Sequence, residues 1–246
     1  MTQSEIKFIR SLSQQKYRKE HNAYLVEGDK NAKEWLCSDA VIKYIIAESD
    51  WADQSGAWIQ KHPEARVHIV ETFILEKLSL LQTTNNVLLV VEKPDNTTGY
   101  IPHEGWSLML DKIQDPGNMG TIIRTADWFG IRDIICSPDC VEVYNPKVVQ
   151  STMGSLLRVN IIYSDLTAFL VKNRKDTYAA CLGGSPIETF KDPKPGYLLM
   201  GNESKGLSDA MLNIADHKVT IPKLGHAESL NVSVATGIIC AAFLLG

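Results

Sequence analysis

Nothing in the 246 residues approaches the roughly 20 consecutive apolar residues that a membrane span needs. The opening stretch, residues 1–20, lacks the apolar core of a secretory signal, so a cytoplasmic location is expected. Cysteine is scarce and odd in number. Cys37, Cys136, Cys140, Cys181 and Cys240 form no C-x-x-C pair, so neither a disulfide framework nor a zinc knuckle is indicated, and no metal is expected. The dinucleotide fingerprint G-x-G-x-x-G is absent. Gly201 and Gly206 have phosphate-loop spacing and Ser208 stands where a Ser or Thr belongs. Leu207, however, occupies the lysine position and Lys205 comes too early, which argues against a nucleotide triphosphatase. No G-x-S-x-G elbow surrounds Ser229, which argues against a serine hydrolase. A basic excess is lacking too. The net charge of −4 excludes a protein that coats nucleic acid without specificity.

What is present is an ordinary globular composition, 44% apolar and 22% charged. One local basic stretch stands out. Lys7, Arg10, Lys16, Arg18 and Lys19 follow one another with no acidic residue between them. Such a run is either a solvated helix face or an RNA contact.

The patterning predicts an α/β protein in two parts. In the first, residues 6–15, 29–37 and 71–81 read as helices, the second opened by an Asp29 cap. Residues 24–27, 41–47 and 87–91 read as strands. Residues 94–105, with Pro94-Asp95-Asn96-Thr97-Thr98-Gly99, carry turn formers and no apolar period. They are the linker between a domain at 1–93 and another at 106–246. In the second part, short apolar strands at 107–110, 133–136, 159–162, 178–182, 197–200 and 218–221 alternate with helices at 118–129, 146–153, 165–173, 208–214 and 231–245. That alternation implies a parallel sheet covered on both faces, with ligands beyond the C-terminal strand ends.

Three segments stand at those ends. The first runs from Asp111 to Gly130, where a Pro116-Gly117 turn leads into a helix expected to begin near Asn118. Asn118 is a good cap type. Arg124 lies among apolar neighbours and is either a snorkelling surface residue or a site residue. The second runs from Leu199 to Ser208, with Glu203 at a helix start, where the macrodipole favours it. The third, Ile221 to Ser233, leads into an apolar C-terminal helix that Ser229 or Asn231 can cap. That helix is either fully buried or part of a subunit interface.

Together and in this order, the segments resemble the SpoU branch (TrmH family) of the knotted SPOUT methyltransferases. The residues carrying the resemblance are Asp115-Pro-Gly-Asn-x-Gly-Thr-Ile-x-Arg-Thr-Ala, Gly201-Asn-Glu-x-x-Gly-Leu, Ile221-Pro and Ser229-Leu-Asn-Val-Ser. The stretch Asn145 to Ser155 fits the family's middle region. Tyr24-Leu-Val-Glu-Gly links residues 6–93 to its N-terminal substrate-binding domain, related in fold to ribosomal protein L30e. Lys223 and Trp128 depart from the common pattern, where an apolar and a small residue are usual.

The resemblance implies a deep trefoil knot in the parallel-sheet domain, a homodimer whose site uses both subunits, and transfer of a methyl group from S-adenosylmethionine to a ribose 2′-hydroxyl. It implies Arg124, Asn118, Glu203 and Asn231 as catalytic residues, and Leu182, Gly201, Ile221 and Leu230 around the donor. Arg10, Lys16, Arg18, Lys19 and Ser229 are expected to meet RNA. A guanidinium normally stays protonated, so Arg124 is expected to hold phosphate and ribose, with the proton leaving to RNA phosphate or water. Ribosomal RNA of the large subunit is the expected substrate. The alternatives are transfer RNA, or a non-catalytic RNA-binding protein on the same fold.

Overall fold

The computed structural model describes residues 1–80, 85–94 and 103–245. Most of the linker expected at 94–105, and Leu81 at the end of one expected helix, lie outside the described residues. The chain forms two compact units. One holds Met1–Gly99 with Glu142–Leu157, the other Tyr100–Val141 with Arg158–Gly246.

The first unit runs α1 (Gln3–Ser11), α2 (Gln15–Glu20), β1 (Ala23–Glu27), α3 (Asp29–Leu36), β2 (Ile42–Ala47), α4 (Ser49–Ile59), β3 (Arg66–Ile69), α5 (Thr72–Leu78) and β4 (Val87–Glu92). Its sheet has the order β1-β4-β2-β3, antiparallel except for the parallel β2–β3 pair. Helix α1 begins as a capping box: the Thr2 hydroxyl accepts from the Glu5 N–H, and Glu5 accepts from the Thr2 N–H. Asp29 does not cap α3 as expected. Gly28 (φ 93°) occupies the cap, and the Asp29 carboxylate accepts from Trp51 Nε1 and pairs with Lys33, both at 2.7 Å.

The excursion at residues 142–157, with α7 (Pro146–Thr152), completes this unit. Val149 is buried in a core with Tyr24, Val26, Trp35 and Leu36, against which Tyr144, Leu156 and Leu157 pack. The contiguous division expected at 106–246 differs from the structure here, because these apolar side chains cover β1 and α3. Polar contacts reinforce them. Asn31 Nδ2 donates to Gln150 Oε1, and Lys93 pairs with Glu142 at 2.8 Å. The expectation that Arg18 meets RNA is corrected. Arg18 is buried at 2% exposure, donates to the carbonyls of Leu12 and Ser13, and pairs with Glu142 at 2.5 Å. A guanidinium so engaged has little left to offer a phosphate.

The second unit runs β5 (Ser107–Asp111), α6 (Pro116–Trp128), β6 (Asp133–Cys136), β7 (Asn160–Tyr163), α8 (Leu166–Lys172), β8 (Thr177–Pro186), β9 (Tyr197–Gly201), α9 (Asp209–Ile214), β10 (His217–Thr220) and α10 (Val232–Leu245). The sheet order is β10-β8-β9-β5-β6-β7, every neighbouring pair parallel. Strands β5, β6 and β9 are buried along their whole length, which is why they read in sequence as short apolar runs. The direction of strand addition reverses at β5, between β6 and β9, and there the C-terminal ends open a crevice. Asp111 and Gly201 are register partners at that point, so the first two motif segments start side by side. Among the described residues no helix is long and apolar enough to cross a membrane.

Candidate active site

The turn after β5 is fixed by the backbone. Asp111 is buried and accepts from the Ser208 N–H at 2.8 Å, tying the first segment to the second. Lys112 adopts φ 59°, a left-handed conformation that costs a non-glycine residue energy. Its N–H donates to Ser137 Oγ and its carbonyl accepts from Asn202 Nδ2, at 2.9 and 2.8 Å. The Ile113 N–H donates to Cys140 Sγ. A hydrogen bond from Cys136, ahead of bonds from Ser137 and the backbone, pulls the Cys140 thiol down to about 7 against the effect of burial. Cys140, whose Sγ also donates to the Leu110 carbonyl, thus braces the turn from behind.

Helix α6 starts earlier than expected, and this changes the role of Asn118. Asp115 is the cap, its carboxylate accepting from the Asn118 N–H at 2.8 Å, and Pro116 fills the first helical position. The Asn118 side chain is therefore free. Its Nδ2 donates to Glu203 Oε1 at 2.9 Å, and its Oδ1 accepts from Asn231 Nδ2 at 2.9 Å. Asn231 caps α10: its Oδ1 accepts from the Ser233 N–H, Ser233 Oγ and the Val234 N–H. Backbone donors fix which end of that amide is oxygen, so Nδ2 must point outward. The direction then propagates through Asn118 to Glu203, which receives a donor and faces the site as an acceptor. Glu203 Oε2 accepts a second bond, from Asn202 Nδ2 at 3.3 Å.

Asn118, Glu203 and Asn231, far apart in sequence, are thus one hydrogen-bonded row. Arg124 is not part of it. It is exposed, and among the described residues no hydrogen bond or ion pair engages it. Six residues along a helix is about 9 Å of rise and a rotation that leaves about 120° between the two side chains. Within one chain, Arg124 and Asn118 face different ways.

The expected donor residues lie where β8 and β9 part. These strands pair only from Thr177↔Tyr197 to Ala179↔Leu199. Beyond that, β8 shifts register against β10 between Lys218 and Val219, and residues 180–184 form an excursion. Gly184 lies so close to the Lys218 backbone that a Cβ would come within 2.6 Å of its carbonyl carbon. Gly201 meets the backbone of Gly206 and Leu207, where a Cβ would lie 2.2 Å from both. Leu182, in the excursion, is 76% exposed; Ile221, just after β10, is half-buried; Leu230, next to Asn231, is 49% exposed. Apolar side chains at a strand end suit the adenosyl part of S-adenosylmethionine, and the close backbone approach at Gly201 leaves no room there for a side chain. Next to the Glu203 turn lies a cavity of about 380 Å³ lined in part by Lys112, Gln114, Asn202 and Lys205. Ser229 is exposed, as are Arg10, Lys16 and Lys19 in the first unit.

Sequence reasoning missed Asp115 as cap, and Asn202 and Asp111 as supports. The Asp115-Pro116 step, a cap type followed by the residue favoured at the first helical position, carried the signal for the cap. Asn202 lies within the Gly201-Asn-Glu motif and Asp111 opens the first segment, but their supporting hydrogen bonds cross to distant positions and leave no pattern in sequence.

Residues 105–241 match the model of the SpoU rRNA methylase family. The chain belongs to that family. Residues 3–89 match the MRM3-like substrate binding domain. The chain is 26% identical over 239 residues to the 23S rRNA (guanosine(2553)-2′-O)-methyltransferase RlmP of Bacillus subtilis, covering 96% of this chain and 94% of that protein. Two solved structures resemble it along nearly its full length. A TrmH-family protein from Porphyromonas gingivalis aligns with a TM-score of 0.85 and 32% identity, covering 99% of this chain and 98% of the other. The AdoMet-bound rRNA methyltransferase of Sinorhizobium meliloti aligns with a TM-score of 0.85 and 30% identity, covering 98% and 94%.

Proposed function

We propose that this chain transfers a methyl group from S-adenosylmethionine to a ribose 2′-hydroxyl of large-subunit ribosomal RNA. The observation that carries this reading is the Asn231–Asn118–Glu203 row at the crevice between β5 and β9. The bound donor supplies an electrophilic methyl group on a sulfonium. The chain's own residues must align the hydroxyl with it and let the proton leave. Such alignment lowers a barrier by several powers of ten, and positioned proton removal adds about 10²–10⁴-fold.

Glu203, oriented by Asn118, accepts from a ribose hydroxyl. Lys112 and Lys205, on the wall of the adjoining cavity, offer positive charge to the flanking phosphate. Leu182, Gly201, Ile221 and Leu230 hold the donor, and Ser229 borders the RNA side. The C-terminal part of the second unit, with the donor segments at 199–233, forms the trefoil knot of the family in this reading, and residues 3–89 form an L30e-like unit that grips the substrate.

The working form is a homodimer in the cytoplasm. Helix α10 has no charged residue and exposes Val234, Ile238 and Leu245, while Trp128 of α6 is 85% exposed. A second copy covers this apolar surface and brings its Arg124 to the first copy's row, which answers why Arg124 faces away within one chain. Arg124 holds the target phosphate and ribose. The test is donor binding by calorimetry together with methyl transfer to RNA. Arg124→Ala is expected to keep donor affinity and lose transfer at least about 10²-fold; unchanged transfer would remove Arg124 from the assignment.

A further inference from the structure

In the first unit, five rings form a continuous row. The Tyr17 and His21 rings are stacked, 6.3 Å apart and inclined by 12°. His21 meets Phe8 edge to face at 5.0 Å. Phe8 meets Tyr44 at 5.9 Å. Tyr44 and His68 are stacked at 6.1 Å and 12°. A cation sits over a ring toward each end: Lys16 Nζ is 5.6 Å from the Tyr17 centroid, and Arg66 Cζ is 5.7 Å from the Tyr44 centroid. The row is built by register. Parallel pairing sets Tyr44 of β2 opposite Arg66 of β3, and Ile46 opposite His68.

Phe8 and Tyr44 form the rim of the core under α1, yet all five rings remain half-buried and show part of themselves to water. The charge around them is lopsided. With Arg18 turned inward, Lys7, Arg10, Lys16, Lys19 and Arg66 are exposed along α1, α2 and β3. Glu20 is the exposed acid of these elements, and Glu5 is occupied by Thr2, His68 and Arg66. A chain with net charge −4 has gathered cations where its rings are.

We propose that this row binds unpaired RNA nucleotides, with bases stacking on the rings and phosphates pairing with Lys16 and Arg66. The proposal deepens the RNA reading given above and rests on it. Aromatic side chains accept any base through its π-face, and flanking cations follow the backbone. A duplex hides those faces, so a stacking row selects single strands, loops or bulges. Tyrosine and histidine suit the task because their rings stack while each also carries a polar atom that can pair with a neighbour, as His68 Nε2 does with Glu5 at 3.3 Å.

The test measures binding of the full-length protein to a fluorescent 12-nucleotide RNA of A and C only, and to a 12-base-pair RNA duplex. The wild type is expected to prefer the single strand. Tyr17→Leu with His21→Leu keeps apolar bulk at the rim but removes stacking, and should weaken single-strand binding at least about tenfold while leaving the duplex value unchanged. Tyr17→Trp should retain the affinity. Lys16→Gln with Arg66→Gln, both at exposed positions, should shallow the slope of log affinity against log salt by about 0.7 per charge removed. This second variant carries the test if the leucine pair fails to fold. No preference for the single strand, or a folded leucine pair with wild-type affinity, overturns the proposal; so does an unchanged salt slope. Methyl transfer does not enter the readout. Binding without transfer would contradict the proposed function alone, and transfer with binding indifferent to these variants would contradict this surface alone.

Discussion

Asn118 takes its role from its neighbours. A cap at Asp115 releases its side chain, and the Asn231 amide, pinned by the α10 backbone, sets the direction of the row. Glu203→Gln preserves the shape and offers an oxygen to Asn118, but it removes the charge. We expect at least about 10²-fold less methyl transfer with the melting temperature nearly unchanged, since Glu203 is only partly buried. A loss of stability that tracks the loss of activity would make Glu203 a structural residue. Glu27, part of the Tyr24-Leu-Val-Glu-Gly motif, makes a different prediction. Burial raises its pKa although Ser79 Oγ and the Leu80 N–H donate to it. An acid whose pKa is higher folded than unfolded gives stability at low pH and loses it as pH rises through the folded value. Glu27→Gln should therefore gain melting temperature over wild type more at pH 8 than at pH 4.5, and an equal difference at both would refute the shift. Candidate site residues were legible in sequence where a motif names them. Arg18 was not, because its partner Glu142 lies 124 positions away and a linear basic run hides which member turns inward.

Strands β5, β6 and β9 of the second unit were legible because a strand buried on both faces is a short apolar run. Edge strand β3, mostly exposed, carries no such signal, and α4, with its mixed face, was not read either. The excursion at 142–157 could not be assigned from sequence, since Tyr144, Val149 and Leu157 look equally apt for either core. Residues 1–94 alone expose the surface these side chains cover. That fragment is expected to melt without cooperativity, and a sharp transition near that of the full chain would show the excursion to be dispensable. The turn proposed to hold the donor contains two kinds of glycine. Gly201→Ala drives a Cβ into the Gly206–Leu207 backbone, so it should cost about 1–3 kcal/mol and lower donor affinity. Gly206→Ala meets nothing within 4 Å, and its cost of about 1 kcal/mol comes from φ 69° alone. Calorimetric donor titrations and thermal melts of the two variants should differ accordingly; equal donor affinities would contradict the packing argument.

At the scale of the whole molecule, the proposed site takes its arginine from a second copy, because Arg124 lies outside the Asn231–Asn118–Glu203 row of its own chain. The proposed pairing runs through α10 and α6. Val234→Glu with Ile238→Glu places charge on the exposed apolar face proposed for pairing. Sedimentation should then give the mass of one 27.4 kDa chain where wild type gives two, with transfer lost alongside. A wild type that sediments as one chain and is active would end the two-chain site. The family and its sheet were legible from three short motifs, since each places backbone at a strand end. The proposed second copy has a single sign in the sequence, an apolar helix with no charge.

The most direct test incubates unmodified large-subunit ribosomal RNA with methyl-labelled S-adenosylmethionine and the protein, then identifies the labelled nucleoside by mass spectrometry. A 2′-O-methylated nucleoside with wild type and none with Arg124→Ala is the predicted result; label on a base, or equal product from both proteins, would contradict it.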